Sequence, residues 1–237
     1  LYLDDRLFDK VPEFLSHVRR TGGRYLFLTN NSSRGVEGYM EKLSRMGIPT
    51  APEDYLTSVD AAIDHLRRFH AGKKCYVFGT RAFYGQLQTA GIPVTDRPED
   101  DVDILLCGFD RELTFRKLED ACILLNRGVT WLATNPDCGS VCRMLTTATG
   151  REPLFLGKPQ PAMAELALRR TGFSPEQAVI IGDRLYTDVA CGINAGIDSI
   201  FVLSGEGTEA DIAQYGIHPT WIFSDIAALY RQLEETL

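Results

Sequence analysis

Oxygen-bearing and cationic side chains gather at three places along this chain, each directly after a short apolar run. In Val179-Ile180-Ile181-Gly182-Asp183-Arg184-Leu185-Tyr186-Thr187-Asp188 a β-prone run ends in glycine, and two aspartates follow. A parallel strand that stops at a carboxylate holds it at the carboxyl edge of the sheet, where open α/β folds bind ligands. Hard divalent cations such as magnesium take oxygen ligands of this kind. Gly-Asp alone reads more readily as a turn with solvated carboxylates, and the other two segments shift that balance. The second is Leu26-Phe27-Leu28-Thr29-Asn30-Asn31-Ser32-Ser33, where β-prone residues give way to a run of hydrogen-bonding side chains ahead of a helical pattern. A helix start beside a strand end offers unpaired N–H groups and a favourable dipole, a ready anion site. One of Asn31, Ser32 and Ser33 caps the helix in this reading, which leaves Thr29 and Asn30 for a ligand. The third is Gly157-Lys158-Pro159-Gln160-Pro161, in which glycine and two prolines restrict the backbone around one lysine. A hydroxyl and amide, a lysine and a carboxylate pair at sheet edges are what phosphoryl transfer requires, because its transition state spreads charge over several oxygens. The set contains no nucleophile.

The elements that must carry these groups follow from hydrophobic periodicity. Strands are predicted at residues 24–28, 74–78, 104–107, 130–133, 178–181 and 199–202. Helices are predicted at 11–20, 36–46, 59–69, 83–90, 116–126, 161–171 and 187–195. Gly22, Gly47, Gly91, Gly128, Gly172 and Gly196 each follow one of these helices, as a left-handed helix stop does. Such alternation of strand and helix is the signature of βαβ units, an α/β fold with a parallel sheet flanked by helices. Polar, glycine-bearing breaks near residues 71–74 and 150–153 set off a middle segment with strands and helices of its own, an inserted second α/β domain.

Composition narrows the function classes. A formal charge of −7 and a pI near 5.2 argue against nonspecific nucleic-acid binding, which needs clustered Lys and Arg. No uncharged apolar run reaches the roughly 18 residues of a membrane span. The start carries no basic-then-apolar signal pattern, so a soluble, cytoplasmic protein is expected. The six cysteines form no Cys-x-x-Cys pair and read as buried thiols in a reducing compartment. Of the four histidines, His65 and His70 have a poor spacing for sharing a helix face, which favours a structural or surface role over ligation.

The order Leu-Thr-Asn-Asn-Ser-Ser, then Gly-Lys-Pro, then Gly-Asp-Arg-x-x-Thr-Asp resembles the haloacid dehalogenase superfamily. More narrowly, it resembles the NagD-like and 4-nitrophenylphosphatase-like phosphatases, which carry a large α/β cap of the C2 type. Gly108-Phe109-Asp110-Arg111-Glu112-Leu113-Thr114 and Ala133-Thr134-Asn135-Pro136-Asp137 are similar to stretches of that cap, so the resemblance runs nearly end to end. It implies a Rossmann-like core of residues 1–72 and 153–237 and a cap of residues 73–152 that closes over the leaving group. By residue, the resemblance makes Asp183 a direct magnesium ligand and Asp188 a support of the metal shell. Lys158 neutralises the phosphoryl oxygens and the surroundings of the nucleophile, and Thr29, Asn30 and Asn31 bind the transferring phosphate. The loop from Asn135 to Asp137 touches substrate.

The implied activity is magnesium-dependent hydrolysis of a small phosphate monoester through an aspartyl-phosphate. The implied partner is a small phosphorylated metabolite, and a homodimer is compatible with the family. The family opens with Asp-x-Asp-Gly-Thr/Val followed by a hydrophobic and an aromatic residue. Leu1-Tyr2 resembles only the tail of that motif, so the nucleophile and the acid–base aspartate are expected just before Leu1. Family members also usually carry a longer segment around Asn135 to Gly139. Two rival readings stand beside this one. One is a non-catalytic phosphate-binding module, a pseudo-phosphatase. The other is a nucleotide- or flavin-binding domain, suggested by Gly205-Glu206-Gly207 after a strand, although the third glycine of a dinucleotide fingerprint is missing.

Overall fold

The computed structural model describes residues 1–3, 6–32 and 35–235, without the side chains of Leu3 and Asp137. In chain order the elements are β1 (Tyr2–Leu3), β2 (Arg6–Leu7), α1 (Val11–Arg20), β3 (Phe27–Thr29), α2 (Val36–Arg45), β4 (Tyr55–Thr57) and α3 (Ser58–Phe69). Then come β5 (Cys75–Phe78), α4 (Arg81–Thr89), β6 (Val94–Thr95), β7 (Ile104–Cys107), α5 (Phe115–Asn126), β8 (Thr130–Ala133), α6 (Gly139–Thr149) and β9 (Leu154–Phe155). The chain ends with α7 (Ala162–Thr171), β10 (Val179–Gly182), α8 (Ala190–Asn194), β11 (Asp198–Val202), α9 (Glu209–Tyr215), β12 (Trp221–Phe223) and α10 (Ile226–Glu235). The chain divides into two compact units: Leu1–Phe27, Val36–Tyr55 and Pro159–Leu237 form the first, and Leu28–Gly35 and Leu56–Lys158 the second.

The second unit is built on a five-stranded sheet of order β6-β5-β7-β8-β9, every adjacent pair of which is parallel. Its central strands are buried along their whole length, as a sheet covered on both faces requires. The period-2 alternation then divides the side chains between two cores. Tyr76, Phe78, Leu105 and Cys107 pack with Leu124 and Leu125 of α5 and Cys142 and Leu145 of α6. Cys75, Val77, Ile104 and Leu106 pack on the other side with Val59, Ala62 and Leu66 of α3 and Phe83 and Leu87 of α4. Helix α3 starts where Thr57 Oγ1 accepts from Asp60 N–H and Asp60 Oδ2 accepts from Thr57 N–H at 2.8 Å, a reciprocal cap written into Thr-Ser-Val-Asp.

The first unit carries a three-stranded parallel sheet, β10-β11-β12. Ile200 and Val202 face a core shared with α1, α2 and α10, whereas Phe201 turns the other way onto Leu185 and Val189. Strands β3 and β4 form a separate two-stranded sheet. All six glycines expected to stop helices have positive φ. At Gly172, for example, φ is 77° and the N–H closes α7 on Leu168 O.

Two predicted elements differ in the structure. The strand expected over 24–28 pairs only at Phe27–Thr29, and ahead of it the Tyr25 ring packs under Arg19 and tilts against Phe27. The helix expected over 187–195 starts earlier, as a π-helical turn at Leu185–Val189 that continues into α8. There the Arg184 carbonyl accepts from both Asp188 N–H, at 2.9 Å, and Val189 N–H, at 3.3 Å, which widens the turn. The rings of His65 and His70 also come within 5.4 Å, since His70 leaves the helix as its C-cap. All six cysteines are free thiols, five of them buried. Among the described residues, no helix is long and apolar enough to cross a membrane.

Candidate active site

In the first unit, Asp183 stands one residue beyond the end of β10. Its Oδ2 accepts from Glu206 N–H at 2.9 Å and its carbonyl accepts from Gly207 N–H at 2.9 Å. The loop after β11 therefore folds directly onto the carboxylate. Such closeness needs glycine at both flanking positions: a Cβ at Gly205 would lie 2.0 Å from Asp183 Oδ2, and one at Gly207 2.6 Å from Asp183 O. This accounts for Gly205-Glu206-Gly207 without a nucleotide. Asp188 is buried and sits in the widened turn, with its side chain over the end of β10, where a Cβ at Gly182 would meet Asp188 Cβ at 2.1 Å. Thus Gly182 brings the second carboxylate back to the strand end that presents the first.

The segment after β3 lies in the second unit, and there the Asn30 side chain acts as a backbone clip. Its Nδ2 donates to Lys158 O at 2.9 Å and its Oδ1 accepts from Lys158 N–H at 2.9 Å, so the amide mimics a strand partner for one residue. Lys158 is buried, and its Nζ donates to Leu28 O at 3.1 Å. The Asn30 carbonyl accepts from Ser58 Oγ at 2.7 Å and from Asn135 Nδ2. Thr29 Oγ1 accepts from Asn31 N–H at 3.2 Å, a side-chain turn that tightens the segment. Helix α2 begins only at Val36, so neither Asn31 nor Ser32 is at its N-cap, and Ser33 lies outside the described residues. Ser32 is instead fully buried. Its Oγ accepts from Phe109 N–H at 3.0 Å and from Thr134 Oγ1 at 3.3 Å.

The structure thus brings Thr29, Asn30, Asn31, Asn135 and Lys158 into one cluster in the second unit, and Asp183 and Asp188 into one in the first. The Asp137 side chain lies outside the described residues. Replacing Asn30 by alanine removes both hydrogen bonds to the Lys158 backbone. A cost of about 2–3 kcal/mol is expected, read as a lowered urea midpoint at unchanged slope.

Comparison with known proteins decides the family. Residues 1–93 match the haloacid dehalogenase-like hydrolase family and residues 155–229 match a HAD-hydrolase-like family. The acid sugar phosphatase of Staphylococcus aureus is 30% identical over 99% of this chain and 95% of its own. The chain belongs to the haloacid dehalogenase-like hydrolases. The 4-nitrophenylphosphatase of Thermotoga maritima superposes on this hydrolase with a TM-score of 0.90 at 33% identity, covering 97% of this chain and 92% of that one. The glycerol phosphate phosphatase of Mycobacterium tuberculosis, solved in complex with magnesium, does so with a TM-score of 0.85 at 31% identity, covering 96% and 74%. The hydrolase is therefore one of the phosphatases its motifs resemble, and no observation favours a non-catalytic module. What the motifs did not announce is part of the support behind them: Glu206 and Ser58 are joined to the motif residues by hydrogen bonds of 2.9 Å and 2.7 Å. Only Gly-Glu-Gly after a strand gave a sequence signal, and it read as something else.

Proposed function

We propose that this hydrolase cleaves a small phosphate monoester in a magnesium-dependent reaction that passes through an aspartyl-phosphate. The observation that carries the reading is the Asp183 carboxylate, held at a strand end by a backbone N–H with Asp188 packed over Gly182. Among the described residues no group of three or more His, Cys, Asp or Glu side chains is assembled as a metal site. Two carboxylates nevertheless fit magnesium, which keeps several waters and is bound through one or two carboxylates plus the substrate phosphate. When bound, the ion would draw charge from the phosphoryl oxygens.

The chain's own residues have separate tasks. Asp183 would be a direct ligand, and Asp188 would orient the ion's waters. Lys158, buried and cationic, would compensate negative charge on the phosphoryl group in a low-dielectric setting. Thr29 and Asn31 would hold phosphoryl oxygens, and Asn30 would fix the lysine through the clip on its backbone. An aspartate expected ahead of Leu1 would attack phosphorus as the ester P–O bond breaks. A second aspartate would protonate the departing alkoxide, and water would then cleave the acyl phosphate. Residues 73–152 would form the cap, with Asn135 and Asp137 facing substrate. The relatives named as acid sugar phosphatase and glycerol phosphate phosphatase support a small phosphorylated metabolite as substrate. Free, mostly buried thiols support a cytoplasmic setting.

The test is phosphate release from 4-nitrophenyl phosphate by protein expressed from its complete gene. Hydrolysis should stop on chelation and return with magnesium, and hydrolysis indifferent to the metal would overturn the reading. Lys158→Met, which keeps the length of the stem and loses the charge, is expected to lower kcat by about a hundredfold or more in the same assay.

A further inference from the structure

We infer that Glu206, held by Arg184 and Tyr186, is a positioning residue that sets how tightly the Asp183 site binds its divalent cation. The inference rests on the proposed magnesium site. Glu206 contributes in two ways at once. Its backbone N–H donates to Asp183 Oδ2 at 2.9 Å, and its side chain is gripped from the other side. Arg184 Nε donates to Glu206 Oε2 at 2.6 Å, and Tyr186 Oη donates to Glu206 Oε1 at 3.0 Å. Both carboxylate oxygens are thus taken by residues of the segment that carries Asp183 and Asp188. The Tyr186 ring is braced in turn by Tyr215 of α9, with ring centroids 5.6 Å apart.

The reason this matters is geometric. The loop from Gly205 to Gly207 has two glycines and no secondary structure of its own, so its backbone is costly to order. Without an anchor, the N–H that fixes Asp183 would sample many orientations. The Glu206 side chain supplies that anchor beside the Gly207 N–H bond to Asp183 O, and outer partners of metal ligands typically change metal affinity 10- to 100-fold when removed. Because Arg184 and Glu206 are about half exposed, the lower end of that range is expected.

Magnesium binding is to be measured by calorimetry on the protein expressed from its complete gene, with circular dichroism to verify the fold. Glu206→Ala should weaken binding by about tenfold. Glu206→Gln keeps both holds, its amide oxygen accepting from Arg184 and its amide N–H donating to the Tyr186 hydroxyl oxygen, and should stay within about threefold of the parent. Tyr186→Phe removes one of the two holds and should fall between. If Glu206→Gln loses as much as Glu206→Ala, the charge and not the latch controls affinity, and the inference is overturned. Equal affinity in the parent, Glu206→Ala and Tyr186→Phe proteins overturns it as well. Should Glu206→Ala not fold, Tyr186→Phe binding as tightly as the parent, or Glu206→Gln binding about tenfold more weakly, is enough to overturn it. A parent protein that binds no magnesium, or an Asp183→Asn protein that binds as well as the parent, sinks the metal-site reading itself, which separates the two failures.

Discussion

Asp183→Asn is expected to lower phosphatase turnover by about a thousandfold or more while leaving the fold intact. Asparagine keeps an acceptor oxygen for Glu206 N–H, so the bond that holds residue 183 against the loop survives. It also keeps the volume, which matters because a Cβ at Gly205 would have no room beside this side chain. What it loses is the negative charge that a hard cation requires. Stabilisation of developing charge by positioned groups commonly contributes more to such catalysis than any other effect, so its loss should dominate kcat. The measurements are steady-state release of 4-nitrophenol and a thermal scan. A variant with parental turnover under saturating magnesium would remove Asp183 from the reaction.

Gly157→Ala should be the most destabilising single methyl in the neighbourhood of Lys158. A Cβ at this position would lie 2.4 Å from Thr134 O and 2.7 Å from Asn30 Oδ1. Neither neighbour can step aside cheaply. Thr134 N–H is tied to Cys107 O at 2.8 Å at the end of β8, and Asn30 Oδ1 already accepts from Lys158 N–H. The backbone at Gly157 is not in the left-handed region, so the cost is purely one of overpacking, about 3 kcal/mol or somewhat more. For a chain of this length that corresponds to a melting temperature lower by roughly 6–12 °C. Turnover should fall as well, because relieving the clash moves Lys158. A melting temperature within about 2 °C of the parent would mean the contact is softer than its geometry implies.

Long, strongly patterned elements were legible in the sequence. Helix α1 and strands β7 and β8 fall on their predicted residues, because the helix has a clear period and each strand is a compact apolar run with a stop signal at its end. Short strands such as β4 and β6 were not legible: they span three and two residues, too few to show a period. Helix α6 opens on Gly139 and is rich in threonine, so local propensity argues against it and tertiary packing of Cys142 and Leu145 decides it. The same division holds at the site. Residue type and order pointed to Asp183, Asp188, Lys158 and Thr29, whereas the glycines around them read as turns and prove to be points of close approach.

The sequence by itself determined the alternation of strand and helix, the residues that end the strands and the phosphoryl chemistry those residues suit, since all of these reside in local pattern and side-chain type. Only the tertiary structure decided what each motif residue leans on. Asn30 clips the backbone of a lysine 128 positions away, and Glu206 fixes an aspartate 23 positions away. Contacts of that kind depend on where the chain returns to after folding, which no local periodicity encodes.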